Sequence, residues 1–131
     1  MTCVCFTVEG KPPVKDCAKS LWSKDEVCER VKSLREAACK ARKSAGIPEN
    51  KVMKNITMIV SIFSNRKGRA DLDNMIGGIC DVLQGDKNDQ SKTKPIFVED
   101  DRDIIRIMAS IEKISKPEEE RYVVVLIEDL K

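Results

Sequence analysis

The chain has 131 residues and a formal net charge of +2. This length suits one domain that can bury a core without disulfides. Hydrophobic residues make up 41% and charged residues 35%, which is typical of a folded globular protein and excludes a disordered one. The aromatic content of 4% argues against a protein that stacks single-stranded bases on aromatic rings. The net charge alone indicates no nucleic-acid partner, so only a local basic patch could do so.

Six cysteines are present, but none forms a C-x-x-C pair and the chain has no histidine. A zinc site is therefore disfavoured, and we expect free, buried thiols in a reducing compartment. The first nine residues lack the basic start and apolar run of a signal peptide, and no long apolar segment follows. We therefore expect a cytoplasmic protein that is not inserted in a membrane.

Two elements are predicted in the first third of the chain. Residues 3–9 alternate and predict a half-buried strand, which the glycine and prolines at 10–13 end. A helix is predicted from about Lys24 to Ala45, with Ser23 and Glu26 as a capping box at its start. The apolar stripe of this helix consists of Val27, Val31, Leu34, Ala38 and Ala41.

Residues 54–63 are apolar on both faces and predict a central strand. A second helix is predicted over about 73–84, with a buried stripe formed by Leu72, Met75, Ile76, Ile79 and Leu83. The polar stretch 85–95 is typical of a surface loop. Two β-branched segments, roughly 103–114 and 121–128, predict the last strands, with Pro117 and residues 118–120 as a hairpin turn between them.

The element order is thus β-α-β-α-β-β, without a repeat or a long linker. This order predicts one two-layer α+β domain over residues 1–131, in which two helices pack on one face of a four-stranded mixed sheet.

Candidate chemistry is concentrated in the stretch that enters the second helix. Asp71 and Asp73 are separated by one residue, and Asp100 or Asp101 could add a third carboxylate. Carboxylate oxygens are the ligands that Mg²⁺ prefers. Asp81 lies on the polar side of the helix, where it could support the metal ligands. Beside these carboxylates, a basic cluster could hold flanking phosphates; it comprises Arg66, Lys67 and Arg69.

Plainer interpretations stay open at this point. Asp71 or Asp73 could simply cap the helix of a structural protein, and charged turns are commonly just solvated. The basic residues of the first helix could extend a DNA-binding surface or form a solvated face; they are Lys32, Arg35, Lys40, Arg42 and Lys43.

Taken together, three motifs resemble the central signature of RusA-like Holliday-junction resolvases. They are Asp71-Leu-Asp73-Asn74, Asp81-Val-Leu83, and Val98-Glu-Asp100-Asp101 with Ile104. The early strand, the Gly10-Lys-Pro-Pro13 segment and the long first helix fit the layout of the same family. The specific motifs occupy residues 69 to 104.

The resemblance implies a homodimeric, Mg²⁺-dependent endonuclease, with Mn²⁺ as a substitute, that cuts four-way DNA junctions in recombination and repair. By motif position Asp71, Asp73 and Asp101 would be the catalytic, metal-binding carboxylates. Asp100 would be a further ligand, with Asn74 and Asp81 supporting the site. The implied DNA contacts are Arg66, Lys67, Arg69 and Arg102.

One position departs from the family pattern. Family members place a catalytically important lysine four residues after the second aspartate, and this chain has Gly77 there, followed by Gly78. The alternative function is therefore a branched-DNA-binding protein with weak or no cleavage activity. Two compensations stay open. The glycines could allow a close approach of the backbone to DNA, or another basic residue could replace the lysine; the candidates are Lys67, Lys94 and Arg102.

Overall fold

The computed structural model describes residues 2–14, 25–48, 51–65, 71–84 and 96–129, with the backbone alone at 25–28 and 101. Over these ranges the chain forms its elements in the predicted order β-α-β-α-β-β. The strands are β1 (Thr2–Glu9), β2 (Ile56–Ser64), β3 (Ile104–Lys113) and β4 (Arg121–Glu128), and the helices are α1 (Asp25–Ser44) and α2 (Leu72–Gln84). Short 3-10 helices, Asp101–Asp103 and Pro117–Glu119, precede β3 and β4.

The four strands form one mixed sheet in the order β1-β4-β2-β3. Strand β4 is antiparallel to both β1 and β2, whereas β3 runs parallel to β2. The predicted α+β class, the mixed sheet and the central position of β2 are therefore confirmed.

The prediction of a hairpin between the last two strands is wrong, because β2 lies between β3 and β4. Composition explains the arrangement. Strand β4 is apolar from Tyr122 to Ile127 and suits an inner position that is covered on both sides. Strand β3 carries polar side chains such as Arg106, Ser110 and Glu112, which an edge position tolerates.

The hydrophobic core lies between one face of the sheet and the two helices. Alternate residues of β1, β2 and β4 are buried on that face, as period-two alternation requires. On α1 the predicted stripe is confirmed at Val31, Leu34 and Ala38, with Ala41 half-buried. Ser23 lies outside the described residues, as do the side chains of Glu26 and Val27, so the capping box stays a prediction.

The described cysteines Cys3, Cys5, Cys39 and Cys80 are free thiols, but only Cys80 of these four is buried. The expectation of burial is wrong for Cys3 and Cys5, because both alternate with the core residues of β1 and point to the other face of the sheet. No helix in the described part of the chain is both long and apolar enough to cross a membrane.

Candidate functional site

Helix α2 presents the predicted division into an apolar and a polar side. Met75, Ile76, Ile79 and Leu83 are buried as expected, and Leu72 is half-buried. The buried side is wider than the sequence indicated, since Gly78, Cys80 and Val82 are also buried. On the polar side Asp73 is exposed, and three residues are half-buried: Gly77, Gln84 and Asp81, which was predicted on this side.

The amino end of α2 carries the first two candidate carboxylates. Asp71 stands directly before the helix, and its backbone carbonyl accepts the Met75 amide at 3.1 Å. Asp71 and Asp73 are both exposed, and within the described residues neither carboxylate has a hydrogen bond or an ion pair. The structure therefore gives no support to a side-chain cap at this helix end. The positive end of the helix dipole stabilises negative charge here by about 0.3–1 kcal/mol.

The exit of β2, which leads towards Asp71, is fixed by a buried carboxylate. Glu120 is 9% exposed, and its Oε2 accepts the Ser64 hydroxyl at 3.1 Å and the Asn65 amide at 3.3 Å. A charged acceptor makes such hydrogen bonds stronger than neutral ones. Glu120 was not identified from the sequence, where it reads as one of three solvated glutamates. The basic candidates that follow Asn65 lie outside the described residues; they are Arg66, Lys67 and Arg69.

The segment before the third candidate carboxylate is held by the core. Residues 96–98 are buried although they belong to no strand or helix. The Leu83 carbonyl at the end of α2 accepts the amides of Ile96 and Phe97 at 3.0 and 3.2 Å. The Phe97 ring stacks on Phe6, with centroids 6.0 Å apart. The apolar run Ile96-Phe97-Val98 could have indicated that this segment is buried, but the sequence analysis did not identify it.

Asp100 directly precedes the 3-10 helix Asp101–Asp103 and contacts Arg102 in that turn. Its Oδ1 accepts the Arg102 amide at 3.0 Å, and its Oδ2 accepts the guanidinium at 3.1 and 3.3 Å. The Arg102 side chain is 88% exposed, so this ion pair contributes little to stability. Asp100 is thus partly engaged in organising its own turn, and Arg102, the candidate DNA contact, lies on the surface.

Helix α2 contacts both the 3-10 helix Asp101–Asp103 and β3. The described bonds to the segment before Asp101 come from Leu83 at the carboxyl end of α2, whereas Asp71 and Asp73 lie at its amino end. The side chain of Asp101 lies outside the described residues. Among the described side chains, no group of three or more cysteines and carboxylates is close enough to hold a metal ion. Of the predicted supporting residues, Asp81 accepts a hydrogen bond from the Gln84 amide at 3.4 Å, and Asn74 is half-buried in the first turn of α2.

The structure explains why residue 78 is a glycine, which the sequence did not. An ideal Cβ at this position would lie 2.1 Å from the Pro13 carbonyl oxygen, so α2 packs directly on the backbone after β1. The close approach is thus to the chain's own Pro12-Pro13 segment, which is buried. Gly77, at the position of the family lysine, is half-buried.

The basic side chains of α1 divide into two kinds. Lys32, Lys40 and Lys43 are exposed, as in a solvated face. Arg42 instead donates from its guanidinium to three backbone carbonyls: those of Ile96, Pro48 (2.6 Å) and Lys51. Arg42 therefore stabilises the fold, which makes it a poor candidate for a DNA contact.

Comparison of the chain with models of known protein families and with curated protein sequences finds no match. The resemblance to RusA-like resolvases thus rests on the motif residues themselves.

Proposed function

We propose that the chain is a Mg²⁺-dependent endodeoxyribonuclease, resembling RusA-like enzymes, that cuts four-way DNA junctions as a cytoplasmic homodimer in recombination and repair. One observation carries the proposal: Asp71 and Asp73 are exposed and unpartnered within the described residues, on a helix that contacts the turn containing Asp101. Two carboxylates of like charge close together repel each other, and a bound cation would offset that repulsion.

The chemistry of the donors fits a hard divalent cation, since every candidate ligand supplies carboxylate oxygen. Asp71, Asp73 and Asp101 would hold Mg²⁺, with Asp100 as a further oxygen donor next to Arg102. When bound, the ion activates water and neutralises charge on the scissile phosphate. The amino end of α2 orients the first two carboxylates and moderates their repulsion through its dipole.

The protein's own cations would position the DNA. Arg66, Lys67 and Arg69 immediately precede the carboxylates in sequence, and Arg102 follows them on an exposed turn. Such side chains bind phosphates without reading bases, which suits an enzyme that recognises the branched shape of its substrate.

The test is cleavage of a synthetic four-way junction with Mg²⁺ and with chelator, comparing wild type and Asp73→Asn. The wild type should make paired symmetric cuts that require the metal. The variant should lose at least about a hundredfold in rate, because it removes a charged ligand that stabilises the transition state. Asp73 is exposed, so the variant should stay folded and lose no more than about 0.3–1 kcal/mol, the stabilisation that the helix dipole gives this charge.

Glu36→Gln is the matched control, since it also removes one exposed carboxylate charge but lies on α1. Its cleavage rate should equal that of wild type. Undiminished cleavage by Asp73→Asn, or equal losses in both variants, would refute the proposed ligand set.

A second candidate is a branched-DNA-binding protein that cuts poorly, and Gly77 is the observation that favours it. The resemblance places at this position a lysine that would stabilise charge on the phosphate; loss of one such donor typically costs about 2.7–4 kcal/mol of barrier. Gly77→Lys separates the two functions. A large gain in cleavage at unchanged junction affinity would show that the parent protein binds its substrate but lacks this catalytic group.

A further inference from the structure

Strand β3 is an edge strand that exposes large apolar side chains as well as polar ones. Its neighbour on one side is β2, and no described strand lies on the other side. Three large apolar side chains are exposed here: Ile105 (49%), Ile107 (47%) and Met108 (61%). A long apolar edge with free main-chain groups is a template for pairing with another strand, so natural proteins normally protect it.

The direction of the free main-chain groups follows from one hydrogen bond. The Ile114 amide donates to the Ser64 carbonyl of β2 at 3.0 Å. Main-chain groups alternate sides along a strand, so even-numbered residues of β3 face β2 and odd-numbered residues face outwards. The register with β2 is continuous from Arg106 to Lys113, and the outward groups therefore belong to Ile107, Ala109, Ile111 and Lys113.

We propose that the β3 edge pairs antiparallel with β3 of a second copy of this chain, about a two-fold axis through Ala109. In this register Ile107 and Ile111 of opposite copies exchange main-chain hydrogen bonds, as do the two Ala109 residues. Arg106 then lies directly opposite Glu112 of the second copy, in the type of pair that brings side chains closest. The two-fold symmetry forms that ion pair twice.

Charge complementarity selects a second copy over an unrelated peptide. Arg106 and Glu112 are both exposed, and both have the parity of the sheet face that points away from the helices. Sliding one strand by two residues puts Arg106 opposite Ser110 or Ile114, and both ion pairs are lost. Strand β3 therefore carries both partners of the ion pair, Arg106 and Glu112. A second copy of the strand can form this ion pair twice.

The geometry has a consequence for the proposed nuclease. A two-fold axis that relates antiparallel neighbours in one sheet is perpendicular to that sheet. Both copies would therefore carry their helices on the same face of a continuous eight-stranded sheet. The two copies of α2, with Asp71 and Asp73 at their amino ends, would then lie on one face of the dimer, where one branched DNA molecule could contact both. The inference thus deepens the proposed homodimer, although its test requires neither DNA nor metal.

The test is the mass of the protein in solution, measured by sedimentation equilibrium over a range of concentrations. The wild type should be a dimer. Arg106→Glu and Glu112→Arg should each raise the dissociation constant about tenfold or more, because each places two like-charged pairs across the interface. The double variant Arg106→Glu with Glu112→Arg restores both pairs in reversed order, so its dissociation constant should return towards the wild-type value.

Lys32→Glu is the control, because it reverses an exposed charge on α1 and should leave the dimer unchanged. Circular dichroism of each variant verifies the fold, which exposed substitutions should not disturb. A monomeric wild type, single variants that dimerise normally, or a double variant worse than either single would each overturn the inference. Single variants that dimerise normally would refute this interface alone, whereas a monomeric wild type would also refute the homodimer of the proposed function. Neither result bears on Mg²⁺-dependent cleavage, so failure of the interface is distinguishable from failure of the proposed nuclease.

Discussion

Replacing Gly78 by alanine tests how closely α2 packs on the segment after β1. The added methyl group would lie 2.1 Å from the Pro13 carbonyl oxygen, 2.4 Å from its carbonyl carbon and 2.8 Å from the Val14 amide nitrogen. All three atoms belong to the backbone and cannot rotate away as a side chain could. Either the segment or the helix must move by about 1 Å to restore ordinary contact.

Two opposing terms set the magnitude. Forcing an extra carbon into a packed interior typically costs about 1–3 kcal/mol, and a backbone obstacle favours the upper end. Alanine in place of glycine stabilises a helix interior by about 0.8–1 kcal/mol. We therefore expect Gly78→Ala to lower the free energy of unfolding by about 2 kcal/mol. For a chain of this size that corresponds to a melting temperature lower by about 8 °C.

Urea denaturation and calorimetry measure both quantities, and Gly77→Ala is the matched control. Gly77 has the same helix-propensity term and is half-buried, so its replacement should leave stability unchanged or raise it by up to about 1 kcal/mol. If Gly78→Ala proves as stable as Gly77→Ala, the close approach to Pro13 is refuted.

Three further substitutions address groups that the core holds. Burial raises the pKa of the Tyr122 hydroxyl, which has no described hydrogen-bond partner. The native state thus keeps its proton to higher pH than the unfolded chain, and this contribution is fully present below about pH 10 and lost as pH rises beyond it. Tyr122→Phe should raise stability by about 1 kcal/mol at neutral pH and flatten the alkaline decline in urea titrations; a destabilised variant would contradict this. Arg42→Lys should cost about 1–2 kcal/mol in the same assay, because a compact ammonium group lacks the planar fork with which the guanidinium reaches three separate carbonyls. Glu120→Gln should cost about 1 kcal/mol by weakening the bonds at the exit of β2, and an unchanged unfolding midpoint would show that its charge contributes nothing.

The sequence predicted the elements best where one face of a strand or helix is apolar. Strand β1 alternates cleanly, and Val4, Phe6 and Val8 are buried as its pattern indicated. Strand order was harder, because adjacency in sequence favours a hairpin between β3 and β4. The fully apolar run of β4 was the available indication that it occupies an inner position.

The sequence did not predict the environment of side chains whose partners are distant in the chain. The pattern around Arg42 is that of a solvated helix, yet its partner Ile96 lies 54 residues away. Glu120 likewise has the pattern of a turn residue, although its partners are Ser64, the last residue of β2, and Asn65 directly after it. No local periodicity encodes such contacts, because they depend on which elements become neighbours in space.

In the candidate site, too, local features could be predicted from the sequence and contacts between distant segments could not. Carboxylates near the start of α2 and before β3 follow from residue type and spacing, and the exposure of Asp71 and Asp73 agrees with a role in binding. The position of α2 on the rest of the fold could not be predicted from side-chain patterns, because both contacts that determine it involve backbone atoms. Gly78 rests on the Pro13 carbonyl near the middle of the helix, and the Leu83 carbonyl binds the amides of Ile96 and Phe97 at its end. The second contact also anchors the segment that leads to Asp101, so the position of that turn depends on how the carboxyl end of α2 packs.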